Sequence, residues 1–577
     1  MFRHAALCLV VAACLVTQAC SKAEPGAGAA SDHDQVNPAP AAGQQAAGLP
    51  DLPDAIRQRV ATAPAVKTSA ARTAHAELIE LYEPAGWGPL WVGADGRPAP
   101  QAREALTVLA RAADDGLDPA HYDVERLTSL REKLEAPGTR SAALAAELDV
   151  ALSTSVLRYF RHLHLGRIDP RTIGFRIVVP VEGHDFVPLV REAATNRRVA
   201  ETAAALAPQL AQYRRLREAL VRYRALSADT TLQPPPESGV VRPGDRYEHL
   251  GALHRWLVAL GDLPEAAPPP RPGDLYDGPY VEAVARFQAR HGLAADGVIG
   301  RSTSAALRVP LAWRTRQIEL ALERLRWLPD LTGRVVALNI PMFRLWAWDQ
   351  VSPYTGPALS MRAVVGRAMS TQTPVFVEEM RGVVFRPYWH VPRSILLNEI
   401  LPAVARDPSY LSRHDMEVVA GPGDDARPVP VSAAALADLR RGRLRLRQRP
   451  GPHNSLGLIK FDFPNDQNVY MHGTPAKELF SRTRRDFSHG CVRLEHPAEM
   501  AEWVLGREPG WSRERIDAAM AAGPTRYVAL SEPIRVILYY LTAVVMTDGS
   551  VHFADDIYRH DARLDRALAG AKRAGGS

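Results

Sequence analysis

Cysteine is nearly absent from the body of this chain. Only four of its 577 residues are cysteines, and Cys8, Cys14 and Cys20 all fall within the first twenty positions. Cys491 stands alone beyond them, so no disulfide can form within the rest of the chain, and a lone thiol is a candidate reactive group. Long apolar runs are missing too. Ala5–Val16 has twelve residues, too few for a permanent bilayer span but the length of a signal h-region, and later apolar stretches are also too short. Neither sign of charge dominates: Lys and Arg number 70, Asp and Glu 64, for a net charge of +6. No dense basic patch with interleaved aromatics occurs, which argues against nucleic acid as a partner, whereas mild basicity is compatible with an acidic polymer. A zinc site is also poorly supplied. His472, His489 and Cys491 could offer three ligands, but there is no His-x-x-x-His pair and no second cysteine nearby, so neither a metal nor a cofactor is expected.

What is present begins with an export pattern. Met1–His4 forms a short basic start, the apolar run follows, and small and polar residues come directly after it. Residues 1–20 are therefore expected to be a signal peptide, directing the chain to the periplasm. Ala19 and Ser21 flank Cys20 as they flank the lipidated cysteine of bacterial lipoproteins, although Thr17 replaces the usual Leu. The alternative is ordinary cleavage near Ala19 or within Ala27–Ala30. Residues 21–50, rich in Ala, Gly, Pro and Gln, read as a disordered tether.

The length suggests about three or four domains. Residues 51–239 carry apolar positions at helical spacing, as in Leu144, Leu148 and Leu152, and are expected to form a helical scaffold. After a Pro-rich break, residues 240–312 form a small unit in which Tyr280, Val284 and Phe287 line one helix face. Gly292 closes that helix, and Ser302 or Thr303 is expected to cap the next. From residue 330 to 556 the period changes to two, in short strands such as "RVVALNI", "MRAVVG" and "NVYMHG". Residues 390–447 interrupt that pattern with helical segments and read as a capping insertion. Residues 557–577 are left as a C-terminal tail. The predicted class is α+β multidomain: a helical scaffold, a three-helix unit, and a mainly β, β-sandwich-like domain with a helical capping insertion.

The chemistry concentrates in residues 468–497, "NVYMHGTPAKELFSRTRRDFSHGCVRLEHP", where two histidines and Cys491 lie close in sequence. A free thiol is mostly protonated at neutral pH, and a neighbouring imidazole can activate it. Gly490 lets the backbone approach a substrate carbonyl, so the amides of Gly490 and Cys491 are candidate oxyanion donors. Taken singly, each residue has a plainer alternative. Cys491 could be an inert core thiol and His472 a backbone-held core histidine, and Arg493 could simply pair with Glu495.

Two stretches carry family resemblances. The pattern "FQ…GL..DG.iG..T..AL" in residues 287–307 resembles the three-helix peptidoglycan-binding domain. His472, a gap of fifteen residues, then Ser488-His489-Gly490-Cys491 resembles the signature of L,D-transpeptidases of the YkuD type. Arg493 in place of the frequent Asn is similar to the large subgroup with a scaffold and a capping insertion. "VVGRAMSTQTPVF" and "FRPYWHVPRSIL" resemble that subgroup as well. The resemblance implies that Cys491 attacks the carbonyl joining the L-centre of meso-diaminopimelate to the terminal D-Ala of a tetrapeptide stem, giving a thioester that an amine of a second stem resolves. It further implies that His472 is the base, that the Gly473 carbonyl orients it, and that His489, with Ser488, shapes the site or its oxyanion hole. Arg493 would hold a substrate carboxylate. Tyr388, Trp389 and Tyr470 are candidates for the cleft, the first two equally compatible with a core. Peptidoglycan stems and glycan are the implied partners, and carbapenems the implied inhibitors. Water as acceptor would make the enzyme an L,D-carboxypeptidase, and a protein lysine would make it a lipoprotein-attaching enzyme. A non-catalytic wall anchor is the rival from another class.

Overall fold

The computed structural model describes residues 49–62, 69–179, 184–351 and 356–575; the signal segment, Cys20 and the tether up to residue 48 lie outside them. The scaffold is built on one long helix, Ala142–Leu165. It starts where the Ser141 hydroxyl accepts the Leu144 amide and ends at Gly166, whose φ of +81° continues the chain out of the helix. Leu148, Leu152, Val156 and Phe160 are buried along it, and the helices Leu52–Ala61, Pro100–Ala110, Val124–Glu135 and Phe186–Asn196 pack around the same core.

The three-helix unit comprises Leu250–Leu260, Gly278–Arg290 and Arg301–Leu307. Tyr280, Val284 and Phe287 are buried together, as their spacing predicts. The expected cap differs. Gly300 occupies the N-cap position without a side-chain bond, and Thr303 lies inside the helix, where its hydroxyl meets the Gln288 amide at 3.0 Å and the Val298 carbonyl at 3.2 Å. Gln288 is a buried amide, and Thr303 satisfies it; that need outweighs capping.

A connecting helix, Leu311–Leu325, leads into the β-rich domain. Its strands are β1 (Val335–Asn339), β2 (Arg344–Trp348), β3 (Leu359–Gly366) and β4 (Phe376–Phe385). After the insertion strands β5 (Trp389–His390), β6 (Met416–Ala420), β7 (Arg427–Val429) and β8 (Arg445–Gln448) come β9 (Ile459–Asp462), β10 (Met471–His472), β11 (Asp486–Ser488), β12 (Val492–Leu494) and β13 (Arg526–Tyr539). The main sheet runs β11-β3-β12-β10-β9-β4-β13-β1-β2. It closes on itself because β3 is shared: Leu359–Arg362 pair with β2, Ala363 and Val364 with β12, and Val365 and Gly366 with β11. The β-sandwich-like expectation thus takes the form of a closed sheet. β13 breaks register between Ala529 and Ile534, where Pro533 can donate no ladder bond. The core inside the sheet gathers Val336, Leu338, Val383, Phe461, Met471, Val492 and Leu494 with Met500, Val504 and Ile516 from two later helices.

The capping insertion carries helices at Leu401–Arg406 and Ala433–Arg441, and also a four-stranded sheet, β5-β8-β6-β7, around a core of its own. Arg445-Leu446-Arg447-Gln448 is short and largely polar, which hides the strand in the sequence. Two further segments depart from the expected partition. The hairpin β14 (Ala543–Val545) and β15 (Val551–Phe553) buries Val544 and Phe553 with the three-helix unit rather than inside the main sheet. The expected tail contains a helix, His560–Gly575, whose Leu564 and Leu568 are buried in the main β core. No helix among the described residues is long and apolar enough to cross a membrane.

Candidate active site

The site is set by a period-two argument at adjacent parallel strands. Met471 pairs with Val492 and His472 with Arg493. Met471 and Val492 both point into the core. Side chains alternate along a strand, so Tyr470 and His472, and across from them Cys491 and Arg493, share the opposite face. On the other side His472 pairs with Lys460 of β9.

His472 is 4% exposed, and its Nδ1 lies 2.5 Å from the Gly473 carbonyl oxygen. A carbonyl only accepts, so Nδ1 carries the proton and Nε2 the lone pair. Burial, reinforced by the Arg493 charge, pushes this histidine down to about 3, which keeps the ring neutral. Gly473 is held in turn by its amide bond to the Ile459 carbonyl at 2.9 Å. It packs so closely on Gly457, whose φ is +65°, that a Cβ there would lie 2.8 Å from the Gly473 carbonyl carbon.

Cys491 is a free thiol in the turn between β11 and β12. Its Sγ faces the Asn468 carbonyl at 3.7 Å. Burial pushes the thiol up, against the pull of the Tyr470 contacts and the Lys460 and Arg493 charges. The resting pair is therefore neutral thiol and neutral imidazole. The Tyr470 hydroxyl faces both the thiol and Trp389, and burial raises its pKa. Trp389, half-buried against the cap's core, thus links the insertion to the nucleophile. Tyr388, one residue earlier, faces away from that link and stacks under the Arg447 guanidinium of the cap, 4.2 Å from its ring centroid.

The nucleophile turn is fastened from within and from behind. Ser488 Oγ donates to the Cys491 carbonyl at 2.5 Å and accepts the Gly490 amide at 3.1 Å. The expectation that the Gly490 amide faces an oxyanion is therefore not met in this arrangement, because the hydroxyl of the buried Ser488 already engages it. Gly490 is required for another reason: its φ is +116°. Behind the turn, the Ser488 carbonyl accepts from the Arg367 amide and the Thr371 hydroxyl, both at 3.0 Å, and the Gly490 carbonyl accepts from Thr373 at 2.8 Å. His489 projects outward, its Nε2 2.6 Å from Glu399 of the cap.

Arg493 does not pair with Glu495. That carboxylate is clamped by Arg362, whose Nε lies 2.9 and 3.0 Å from its two oxygens. Arg493 Nε is buried with no hydrogen-bond partner among the described residues. Burial pulls its guanidinium down, and the neighbouring Arg367 adds to that pull while Cys491 opposes it. Among the described residues no three His, Cys, Asp or Glu side chains converge as metal ligands would.

Comparison with known proteins accords with this geometry. Residues 333–525 match the family described as "L,D-transpeptidase catalytic domain", of the YkuD type. The chain carries an L,D-transpeptidase catalytic domain. Residues 246–307 match a "Putative peptidoglycan binding domain", and residues 76–220 a "Scaffold domain". A Haemophilus influenzae protein named "Putative L,D-transpeptidase" is 30% identical over 253 residues. That match covers 44% of this chain and about half, 50%, of the relative's length. A crystal structure of an L,D-transpeptidase from Xylanimonas cellulosilytica DSM 15894 aligns with 53% of this chain and 100% of that chain, at 17% identity. Its TM-score of 0.15 is too low to carry an argument.

Within the transpeptidase domain, the structure brings together Cys491, His472, Gly473, Tyr470, Trp389 and Arg493, places Ser488 and Gly490 as the frame of the turn, and leaves Tyr388 on the cap. Sequence spacing missed Lys460, Gly457, Thr373 and Glu399. Lys460 and Gly457 had no signal beyond their types, since only strand pairing and turn closure bring them to the site, and Thr373 lies in "VVGRAMSTQTPVF", a stretch whose resemblance gave it no role of its own. Glu399 had one faint signal, its place in a helical segment of the insertion.

Proposed function

We propose that this protein is a periplasmic peptidoglycan L,D-transpeptidase, which links third-position diaminopimelate residues through a Cys491 thioester with release of D-Ala. The observation that carries this reading is the shared face of neutral His472, Cys491 and Arg493, whose buried Nε has no hydrogen-bond partner among the described residues, on two adjacent parallel strands. Because both groups are neutral, Cys491 loses its proton to His472 Nε2 as sulfur attacks the stem carbonyl. The imidazolium so formed is stabilised by the Gly473 carbonyl, the part a carboxylate plays in other triads. It then protonates the departing D-Ala amine. Arg493 lies beside the thiol, and a substrate carboxylate would complete its fork. With Gly490 engaged by Ser488, the Cys491 amide is the backbone donor assigned to the oxyanion. The peptidoglycan-binding match favours a wall substrate, and the insertion over the site favours an enzyme that must hold a second bulky stem. Cys20 is the proposed lipid attachment point to the outer membrane.

The test is mass analysis of muropeptides after incubating the full-length protein, and its Cys491→Ala variant, with disaccharide-tetrapeptide. A dimer lacking one D-Ala, absent with the variant, is the expected result. Tripeptide alone would indicate a carboxypeptidase, and no change at all would point to a wall anchor. A carbapenem is expected to add its mass to the wild-type protein and not to Cys491→Ala.

A further inference from the structure

The His472 base accounts for one proton, and the second half of the proposed reaction needs two removed. The acceptor is an alkyl amine, whose ammonium has a pKa near 10 like that of lysine, so it arrives protonated. One proton must leave before nitrogen can attack the thioester. A second leaves the nitrogen as the C–S bond breaks, and can return to sulfur through His472. Nothing assigned so far receives the first.

The His489–Glu399 contact is placed for that task. Glu399 stands in a single π-helical turn, Leu396–Ile400, between the helical segments Arg393–Ile395 and Leu401–Arg406. Pro402 explains the wide turn, since proline has no amide to donate and its ring crowds the carbonyl four residues earlier. Leu396 and Ile400 are buried in the cap core, and Glu399 between them faces outward to His489, its side chain 50% exposed against 28% for the histidine. A carboxylate only accepts, so His489 Nε2 carries a proton and donates to Glu399 Oε1 at 2.6 Å; in the neutral form of the ring Nδ1 holds a lone pair. The backbone on both sides of the ring is pinned. The Ser488 carbonyl accepts from Arg367 and Thr371, and the Gly490 carbonyl from Thr373. Two cations, Arg493 and Lys460, lie near the thiol. The half-exposed carboxylate on the cap gives an incoming cation a place to settle.

We propose that Glu399 and His489 form the acceptor-amine site: His489 Nδ1 takes the first proton of the incoming ammonium, and Glu399 is the positioning residue that orients the ring and attracts the cation. The proton then passes to solvent. The free amine attacks the thioester carbon, the C–S bond breaks, an amide forms, and His472 carries the amine's second proton to the leaving thiolate. This inference rests on the transpeptidase reading above and names the class of its acceptor, a primary alkyl ammonium. Water needs no such step, so the pair separates crosslinking from hydrolysis.

The experiment uses full-length wild type and Glu399→Gln, which keeps an oxygen for His489 Nε2 but removes the charge. Each is incubated with disaccharide-tetrapeptide, and dimer, tripeptide and acyl-enzyme are followed by mass. The expected result is a dimer-to-tripeptide ratio lower by about tenfold or more in the variant, with acyl-enzyme still accumulating. Hydroxylamine, an amine already unprotonated at neutral pH, is expected to intercept the acyl-enzyme of both proteins at the same rate. An unchanged ratio, or equal loss of dimer and of hydroxylamine trapping, would overturn the assignment while leaving the transpeptidase reading intact. A wild type that yields only tripeptide would overturn both.

Discussion

At the scale of single residues, the two central side chains are held uncharged by the same cause, burial, acting in opposite senses. It raises the thiol and depresses the imidazole, which stays unprotonated down to about pH 3. The sign follows directly. An ordinary histidine near 6.5 would lose its basic form as pH falls through neutrality, whereas His472 retains it. The rate of Cys491 acylation by a carbapenem is therefore expected to stay flat from about pH 8 down to about pH 5. Stopped-flow acylation or timed intact mass across that range would check it. An acid limb centred near 6.5 would mean that the working ring is not the buried neutral one. The same residue scale explains why Ser488 belongs to the signature. Its hydroxyl ties the Gly490 amide to the Cys491 carbonyl, so it shapes the turn without touching the reacting atoms.

At the scale of elements, the geometry depends on one close backbone approach. Gly457 sits at φ +65°, and a Cβ there would lie 2.7 Å from the Thr474 amide nitrogen and 2.8 Å from the Gly473 carbonyl carbon. Gly457→Ala must displace the carbonyl that orients His472. Acylation is expected to slow by about ten- to a hundredfold, mainly in kcat. The matched control is Gly549→Ala, at φ +81° with nothing within 4 Å. It bears the same backbone penalty of about 1–2 kcal/mol without touching the site, so its acylation rate should be that of wild type. This contact also marks the limit of what the sequence discloses. The spacing of His472 to Cys491 and the strand "NVYMHG" that carries His472 were legible because strand period and motif are local. Gly457, Thr373 and Glu399 were not, because each reaches the site only after the sheet closes and the insertion folds back. The insertion's strands were hidden for a related reason. They cover a small core, with Arg445 exposed and Arg447 buried as the partner of Glu417, so the two arginines leave little apolar period to read. Asn454, 1% exposed, marks where the insertion joins the site: its side chain donates to the Pro387 and Arg449 carbonyls before the insertion and at its end, and accepts from Leu456, next to Gly457.

At the scale of the whole molecule, the peptidoglycan-binding unit is not strung beside the catalytic domain on a free linker. Its Phe287 and Tyr280 share a core with the hairpin residues Val544 and Phe553 and with Ile318 and Leu322 of the connecting helix. That helix also sends Leu320 into the catalytic core and joins Arg324 to Asp561 of the C-terminal helix at 2.5 Å. One polar contact fixes the junction. Arg290, 7% exposed at its side chain, pairs with Asp262 at 4% and donates to the Val551 carbonyl at 3.1 Å. Removing one partner of a buried pair leaves an uncompensated charge, a loss of about 3–5 kcal/mol. If the unit unfolded independently, Asp262→Ala would split off an early calorimetric transition and leave the main one in place. The shared core argues for the other outcome, a single transition shifted down as a whole, with carbapenem acylation lost at the same temperature. The hairpin supplies the reason, since its apolar face would be uncovered as soon as the unit left, and that exposure couples three-helix unit and catalytic sheet into one cooperative body.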